Sequence, residues 1–176
     1  MIKSDNFCYR VVEEIDLNLL LKHRNDPLKR QFYREHRELT SEHQKKWWKD
    51  KVVNDDSWHY FVISSLINKE KVIGVTGIIY VDNINKVGES AYELWVPEYD
   101  NEECKSEILS TMTKYAFNDL NLNRVWVEVY EDKPLLDDYL SLGYKIEGTK
   151  RSVAYKDGVY VDSVICAMLK DEWNNE

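Results

Sequence analysis

The chain has 176 residues, of which 43% are hydrophobic and 12% aromatic. That composition suits one globular domain with its own core and excludes a disordered chain. The formal charge of −8 argues against nucleic acid or an anionic membrane as a partner held by overall charge. Residues 23–37 are a local exception and gather Arg24, Lys29, Arg30, Arg34 and Arg37. Cys8, Cys104 and Cys166 are odd in number and widely spaced, with no C-x-x-C or Cys/His pair. We therefore expect no metal and no disulfide framework. No apolar segment opens the chain and no run reaches transmembrane length, so the default location is the cytoplasm.

In chain order, residues 7–16 (FCYRVVEEID) read as a short strand leading to a helix start with Asp16 as N-cap. Residues 17–25 form a first helix, and Pro27 stops its pattern. Residues 40–53 open with Thr40 or Ser41 as N-cap and acid in the first turn, a helix start. Residues 57–67 and 72–82 are strands joined by a hairpin turn at 68–71. Residues 89–97 are a fourth strand. Residues 102–120 are a long helix, with Ile108, Leu109, Met112, Tyr115, Ala116 and Phe117 at helical spacing. Residues 124–132 alternate as a strand. Residues 134–143 are a short helix with Pro near its start and Gly at its end. The last two strands, 144–155 and 159–169, form a hairpin around Lys156-Asp157-Gly158. This order predicts a mixed α/β sheet with helices on its faces. A doubly wound nucleotide fold would alternate strand and helix throughout, and this chain does not.

Several motifs stand in order along the chain. YLSLGYKIEG carries a Tyr-x-x-x-Gly-aromatic run, and KRSVAYKDGVYVDSVICAMLKDEW carries Arg, Lys-Asp-Gly, Tyr-x-Asp and a closing Glu-Trp. LLKHRNDPLKRQF holds an Arg-Asn pair, and LTSEHQKKWW a helix-opening Glu-His…Trp. Together they resemble the GNAT superfamily of acyl-CoA-dependent N-acetyltransferases. The nearest likeness is to the group of the ribosomal-protein N-terminal and nucleotide-amino-sugar acetyltransferases. The resemblance implies a single GNAT-like domain over 1–176. It implies a mostly antiparallel seven-stranded sheet flanked by helices, with strands four and five splayed around acetyl-CoA. Pantetheine would pair like an extra strand, and the pyrophosphate would sit where strand four enters the long helix.

Cofactor contacts then fall on Leu94, Trp95, Val96, Asn101, Glu102, Glu103, Cys104, Lys105, Asp132 and Leu135. The loop departs from the family pattern. Asp100 stands where a basic residue or Gln is usual, Glu103 where glycine is usual, and Lys105 where Gly or Ala is usual. Asp132 replaces a usual Asn. Carboxylates there repel phosphates. The same residues also describe an ordinary helix start, capped by Asp100 or Asn101 with acid in its first turn. The resemblance makes Tyr139 the general acid, against a plain packing tyrosine. Glu93 on strand four is the candidate base, with Tyr92 or Glu89 as substitutes. Backbone N–H groups near 94–96 would polarise the thioester if the strand bulges there.

For the acceptor, Arg24 and Asn25 match the group's Arg-Asn motif and suit a phosphate or carboxylate. His43 and Trp47 share a helix face bordering the acceptor cleft, and Arg151 and Tyr155 would close it. The acceptor is expected to be a small-molecule amine, an amino sugar on a nucleotide carrier, or a protein N-terminus. The other reading is a GNAT-fold binding module that transfers nothing. Six Trp and twelve Tyr suit an aromatic homodimer interface.

Overall fold

The computed structural model describes residues 1–69, 71–130 and 133–173. Its strands are β1 (Ile2–Lys3), β2 (Phe7–Val11), β3 (His59–Ser65), β4 (Val72–Asp82), β5 (Val87–Leu94), β6 (Arg124–Val129), β7 (Lys145–Lys156) and β8 (Val159–Leu169). Its helices are α1 (Leu17–Arg24), α2 (Pro27–Arg30), α3 (Ser41–Trp47), α4 (Glu102–Lys114) and α5 (Lys133–Ser141). The strands form one sheet in the order β1-β2-β3-β4-β5-β6-β8-β7. Seven of the eight are the expected ones. The eighth, β1, has two residues, too few to show an alternating pattern.

All neighbours pair antiparallel except β5 and β6. These two run parallel and pair only where Val87, Gly88 and Glu89 face Arg124, Val125 and Trp126. Beyond that point they part, although β5 continues to Leu94 and β6 to Val129. The expected splay of strands four and five is therefore present, as β5 and β6. Where the inner strands run close, no side chain fits. A Cβ on Gly77 would stand 2.3 Å from the His59 carbonyl oxygen.

The helices cover both faces. On one, α4 and α5 bury Ile108, Leu109, Met112 and Tyr139 against Phe7, Ile63, Ile73 and Val127. On the other, Leu17 and Leu20 of α1 and Trp47 of α3 pack on Val62 and Val75. Each buried aliphatic side chain contributes roughly 1.5–3 kcal/mol by leaving water, so this two-sided core holds the split sheet.

Local chemistry corrects three expectations. Asp16 is the N-cap residue of α1, as expected, but its side chain gives α1 no cap bond and serves the turn before it. It is helical itself, pairs with Arg10 at 2.7 Å and accepts the Glu13 N–H at 2.8 Å. Pro27 does not simply end the first helix but opens α2, with the Asp26 side chain accepting the Leu28 N–H. The helices α3 and α4 widen into π turns at their C-terminal ends, over Trp48–Val53 and Tyr115–Asp119. The expected cap Thr40 does accept the His43 N–H. The β7–β8 turn follows the sequence: Asp157 and Gly158 both adopt positive φ, 48° and 89°, as a type I′ hairpin needs.

Candidate functional site

The gap between β5 and β6 exposes a strand edge. Trp95 N–H donates to the Ile73 carbonyl at 2.8 Å, so Trp95 turns its backbone toward β4. Opposed residues of an antiparallel ladder alternate between paired and unpaired. With Leu94 opposite Gly74 and Tyr92 opposite Thr76, Tyr92 and Leu94 present their N–H and C=O groups to the gap. Trp95 N–H is thus unavailable to polarise a carbonyl there, which corrects one expectation. The Leu94 N–H, by contrast, is not turned toward β4.

A cleft of about 520 Å³ fills the gap and is lined by Tyr92, Glu93, Leu94, Lys105, Leu135 and Tyr139, among others. Tyr139, on α5, is fully buried, and its hydroxyl lies 3.1 Å from Ser90 Oγ on β5. Burial, with Tyr144 beside it, pushes its pKa well above the usual phenol value. The hydroxyl therefore keeps its proton at any working pH. At the cleft mouth Tyr92 OH donates to Asp138. Lys105 Nζ stands 2.8 Å from Asp100 and 3.5 Å from Asp138.

The α4 start decides between the two readings of the 100–105 stretch. Asn101 is the cap: its side chain accepts the Cys104 N–H at 3.0 Å, and its carbonyl accepts the Lys105 N–H at 3.1 Å. Asp100 is bound to Lys105 instead. Glu102 and Glu103 are exposed in the first turn, and Cys104 packs partly against the core. The backbone N–H groups of Glu102 and Glu103 remain as the helix's open donors. An amide-rich arm fits the strand edge. The donors at this helix start that could hold a pyrophosphate are the N–H groups of Glu102 and Glu103 and the Lys105 ammonium, with Asp100 and Asp138 opposing.

Glu93 projects from the other face of β5. Burial raises its pKa, against the lowering effect of a hydrogen bond from Tyr33 OH at 2.5 Å and of Lys29. Lys29 Nζ pairs with Glu93 Oε1 at 3.5 Å and donates to the Leu94 carbonyl at 2.5 Å. Glu89, four residues earlier, pairs with Arg34 at 2.9 Å. Arg34 also donates to Tyr130 OH at 3.1 Å. A second cleft of about 640 Å³ shares Arg24, Arg34, Ala91 and Glu93 with the first. Its walls carry Arg37, His43, Lys46, Trp47, Lys51, Trp58, Tyr60, Tyr80 and Trp95. Arg24 lies 3.9 Å over the Tyr33 ring and donates to the Glu35 carbonyl. Its Nη1, and Nε1 of Trp58, are buried without a hydrogen-bond partner.

Other expected residues are placed elsewhere. Asn25 is spent on the backbone of Leu39, donating to its carbonyl and accepting its N–H, each at 2.8 Å. Arg151 and Tyr155 line neither cleft. Both are exposed, and Tyr155 packs on Tyr160. The hairpin's Lys156 donates from its ammonium to the Gln31 carbonyl and lies 4.8 Å from the ring of Tyr130, a residue that lines the first cleft. His43 lines the second cleft, while its Nδ1 accepts the Thr40 N–H. The Trp95 indole stacks on His23, 4.2 Å between centroids, away from the gap. Val96 packs against the core. Asp132 lies outside the described residues. Lys29, Tyr33, Arg34 and Asp138 are site residues that motif matching missed. The first three belong to the basic stretch 23–37, the one signal that pointed to them.

Residues 6–134 match the family model of the acetyltransferase (GNAT) domain. A Bacillus subtilis protein named as uncharacterized N-acetyltransferase YoaA is 26% identical over 102 residues, 57% of each chain. Another from the same organism, uncharacterized N-acetyltransferase YnaD, is 31% identical over 91 residues, 49% of this chain and 54% of that one. The match thus spans little more than half the length of either relative. Among solved structures, spermidine N-acetyltransferase from Vibrio cholerae, in complex with CoA and spermine, superposes with a TM-score of 0.85. It covers 96% of this chain and 98% of its own at 18% identity. No helix among the described residues is long and apolar enough to cross a membrane.

Proposed function

The chain belongs to the GNAT acetyltransferase family, and from that premise we propose that it is an acetyl-CoA-dependent N-acetyltransferase of a primary amine. One observation carries this reading: the unpaired β5 edge at Tyr92 and Leu94, opening on a cleft that holds Tyr139. Acetyl-CoA supplies an activated acyl thioester. The edges of Tyr92 and Leu94 bind its amide-rich arm, and Lys105 with the α4 N–H groups meets its phosphates. Glu93, held protonatable by burial, takes a proton from the acceptor ammonium. Tyr139 gives its hydroxyl proton to the departing thiolate.

The acceptor carries acidic or oxygen-rich groups beside its amine, as an amino sugar on a nucleotide carrier does. Arg24 Nη1 and Trp58 Nε1 are buried donors in want of acceptors, and the wall around them is aromatic, with Arg24, Arg34, Arg37, Lys46 and Lys51 outnumbering Glu35, Asp50 and Glu93. An unmatched buried donor costs about 1–3 kcal/mol, which a bound phosphate or sugar oxygen would recover. An acidic protein N-terminus meets the same demand and is the second reading. A polyamine, such as the spermine bound in the Vibrio structure, would bring more positive charge to this wall. The test is coenzyme release with acetyl-CoA and three acceptors: a nucleotide-linked amino sugar, a peptide with an acidic N-terminus, and spermidine. Turnover on either of the first two, and not on spermidine, is expected. Spermidine as the best acceptor would reverse the assignment. Absence of any thermal shift with millimolar acetyl-CoA would remove the transferase reading.

A further inference from the structure

Lys29 brings a primary amine to the open edge of β5. It is carried on α2, a single helical turn fixed by the Asp26 cap and followed by a segment pinned through Asn25 to Leu39. From there its ammonium reaches across to β5. It rests 2.5 Å from the Leu94 carbonyl oxygen and 3.5 Å from Glu93 Oε1. The N–H and C=O groups of one strand residue point to the same edge. The Leu94 carbonyl that holds Lys29 and the Leu94 N–H open to an acyl carbonyl therefore face the same gap. A primary amine, a carboxylate able to take its proton and a proton-donating phenol, Tyr139, line one cleft. Those are the groups that amide formation requires. The other lysines lining the two clefts, Lys46, Lys51 and Lys105, pair with aspartates and not with the Leu94 carbonyl and Glu93, Lys46 with Asp50 at 2.5 Å and Lys51 with Asp55 at 2.9 Å. Lys105 is clasped by Asp100 and Asp138, and Lys156 donates to Gln31.

We infer that Lys29 is a self-acetylation site: in the absence of an external amine, the chain transfers the acyl group of a bound acyl-CoA thioester to its own Lys29. The inference rests on the acyl-CoA reading of the cleft. Glu93 accepts a proton from the Lys29 ammonium. The neutral amine attacks the thioester carbonyl, the C–N bond forms, the C–S bond breaks and the thiolate takes the hydroxyl proton of Tyr139, while the second proton of the attacking nitrogen passes to the Tyr139 oxygen and restores the phenol. No oxidant or reductant is needed. The product is a neutral acetyl-lysine. It no longer pairs with Glu93, and its acetyl group fills the meeting point of the two clefts. A chain so modified is closed to acceptors, while an external amine that displaces Lys29 protects it.

The full chain is incubated with acetyl-CoA alone and followed by intact mass and peptide mapping. One acetyl group per chain on Lys29 is expected, with a rate constant that does not change with protein concentration, because donor and acceptor share a molecule. Lys29→Arg keeps a cation for Glu93 and Leu94 and should abolish the modification. Glu93→Gln should slow it at least about tenfold. Acetyl groups spread over exposed lysines with Lys29 unmarked, or a rate rising with protein concentration, would overturn the inference. Calorimetric binding of acetyl-CoA to Lys29→Arg separates the two layers. Binding with Lys29 unmodified in the wild type sinks self-acetylation alone. No binding to either protein sinks the transferase reading with it.

Discussion

At the scale of single residues, Tyr139 and Glu93 differ in what burial does for them. Burial keeps Tyr139 in its protonated form, the form a general acid needs, and the same burial makes that proton harder to give up. Tyr139→Phe should lower kcat about a hundredfold with little change in KM. It should lower stability by about 1 kcal/mol through the lost Ser90 partner. An unchanged kcat would make Tyr139 a packing residue. For Glu93 burial has the opposite use. The raised pKa keeps the proton on to higher pH, so activity needing the carboxylate falls as pH drops through that raised value. The stability contribution has the reverse sign: it is complete below the unfolded-state pKa and lost as pH rises through the folded one. The acid limb of kcat/KM should therefore lie above the ordinary carboxylate range and vanish in Glu93→Gln. An acid limb that persists in the variant excludes Glu93 as the base.

At the scale of elements, the α4 start shows how far a local pattern reaches. Acid in a first turn and an Asn cap are helix chemistry, and the sequence stretch 100–105 carried both. What it could not show is that Asp138, from α5, completes a clasp on Lys105, because that contact joins elements distant in sequence. The clasp holds the Lys105 cation at the mouth between two carboxylates. Asp138→Asn should free Lys105 and tighten coenzyme A binding about fivefold, roughly 1 kcal/mol. Lys105→Ala should weaken it by a similar factor, and added salt should shrink both effects. Calorimetric titration measures each, and the opposite order would place the phosphates elsewhere. The segment after α1 behaves differently. Residues 40–53 announced a helix through a cap at Thr40 or Ser41 and acid in the first turn. Residues 26–39 have no period at all. Their path is set by single contacts, Asn25 to Leu39, Arg24 to Glu35 and Lys156 to Gln31, so Lys29, Tyr33 and Arg34 stayed visible only as part of a basic stretch.

At the scale of the whole molecule, the order of strands and helices was readable because each element carries its own signal. β6 alternates buried and half-buried positions along its length, and α4 buries Ile108, Leu109 and Met112 on one face. The gap between β5 and β6 has no such signal in either strand, since it is a property of their register. Its recognition depended on the family resemblance. The N-terminal strands are likewise joined to the rest by a feature that no periodicity reveals. Glu107 on α4 receives the Asn6 backbone N–H at 2.7 Å and the Asn6 side-chain amide at 2.8 Å. Partial burial works against its charge, but hydrogen bonds from Ser4 and Asn6 prevail and hold its carboxyl below the usual value. A depressed folded-state pKa stabilises above the unfolded value and is lost as pH falls through the folded one. Glu107→Gln should therefore cost about 1 kcal/mol near neutrality, a figure reduced for solvent screening. The difference between wild type and variant should close as the wild-type carboxyl protonates. Urea midpoints at about pH 7 and about pH 3 test this, and a difference that survives unchanged in acid would mean that the contact stabilises by shape alone.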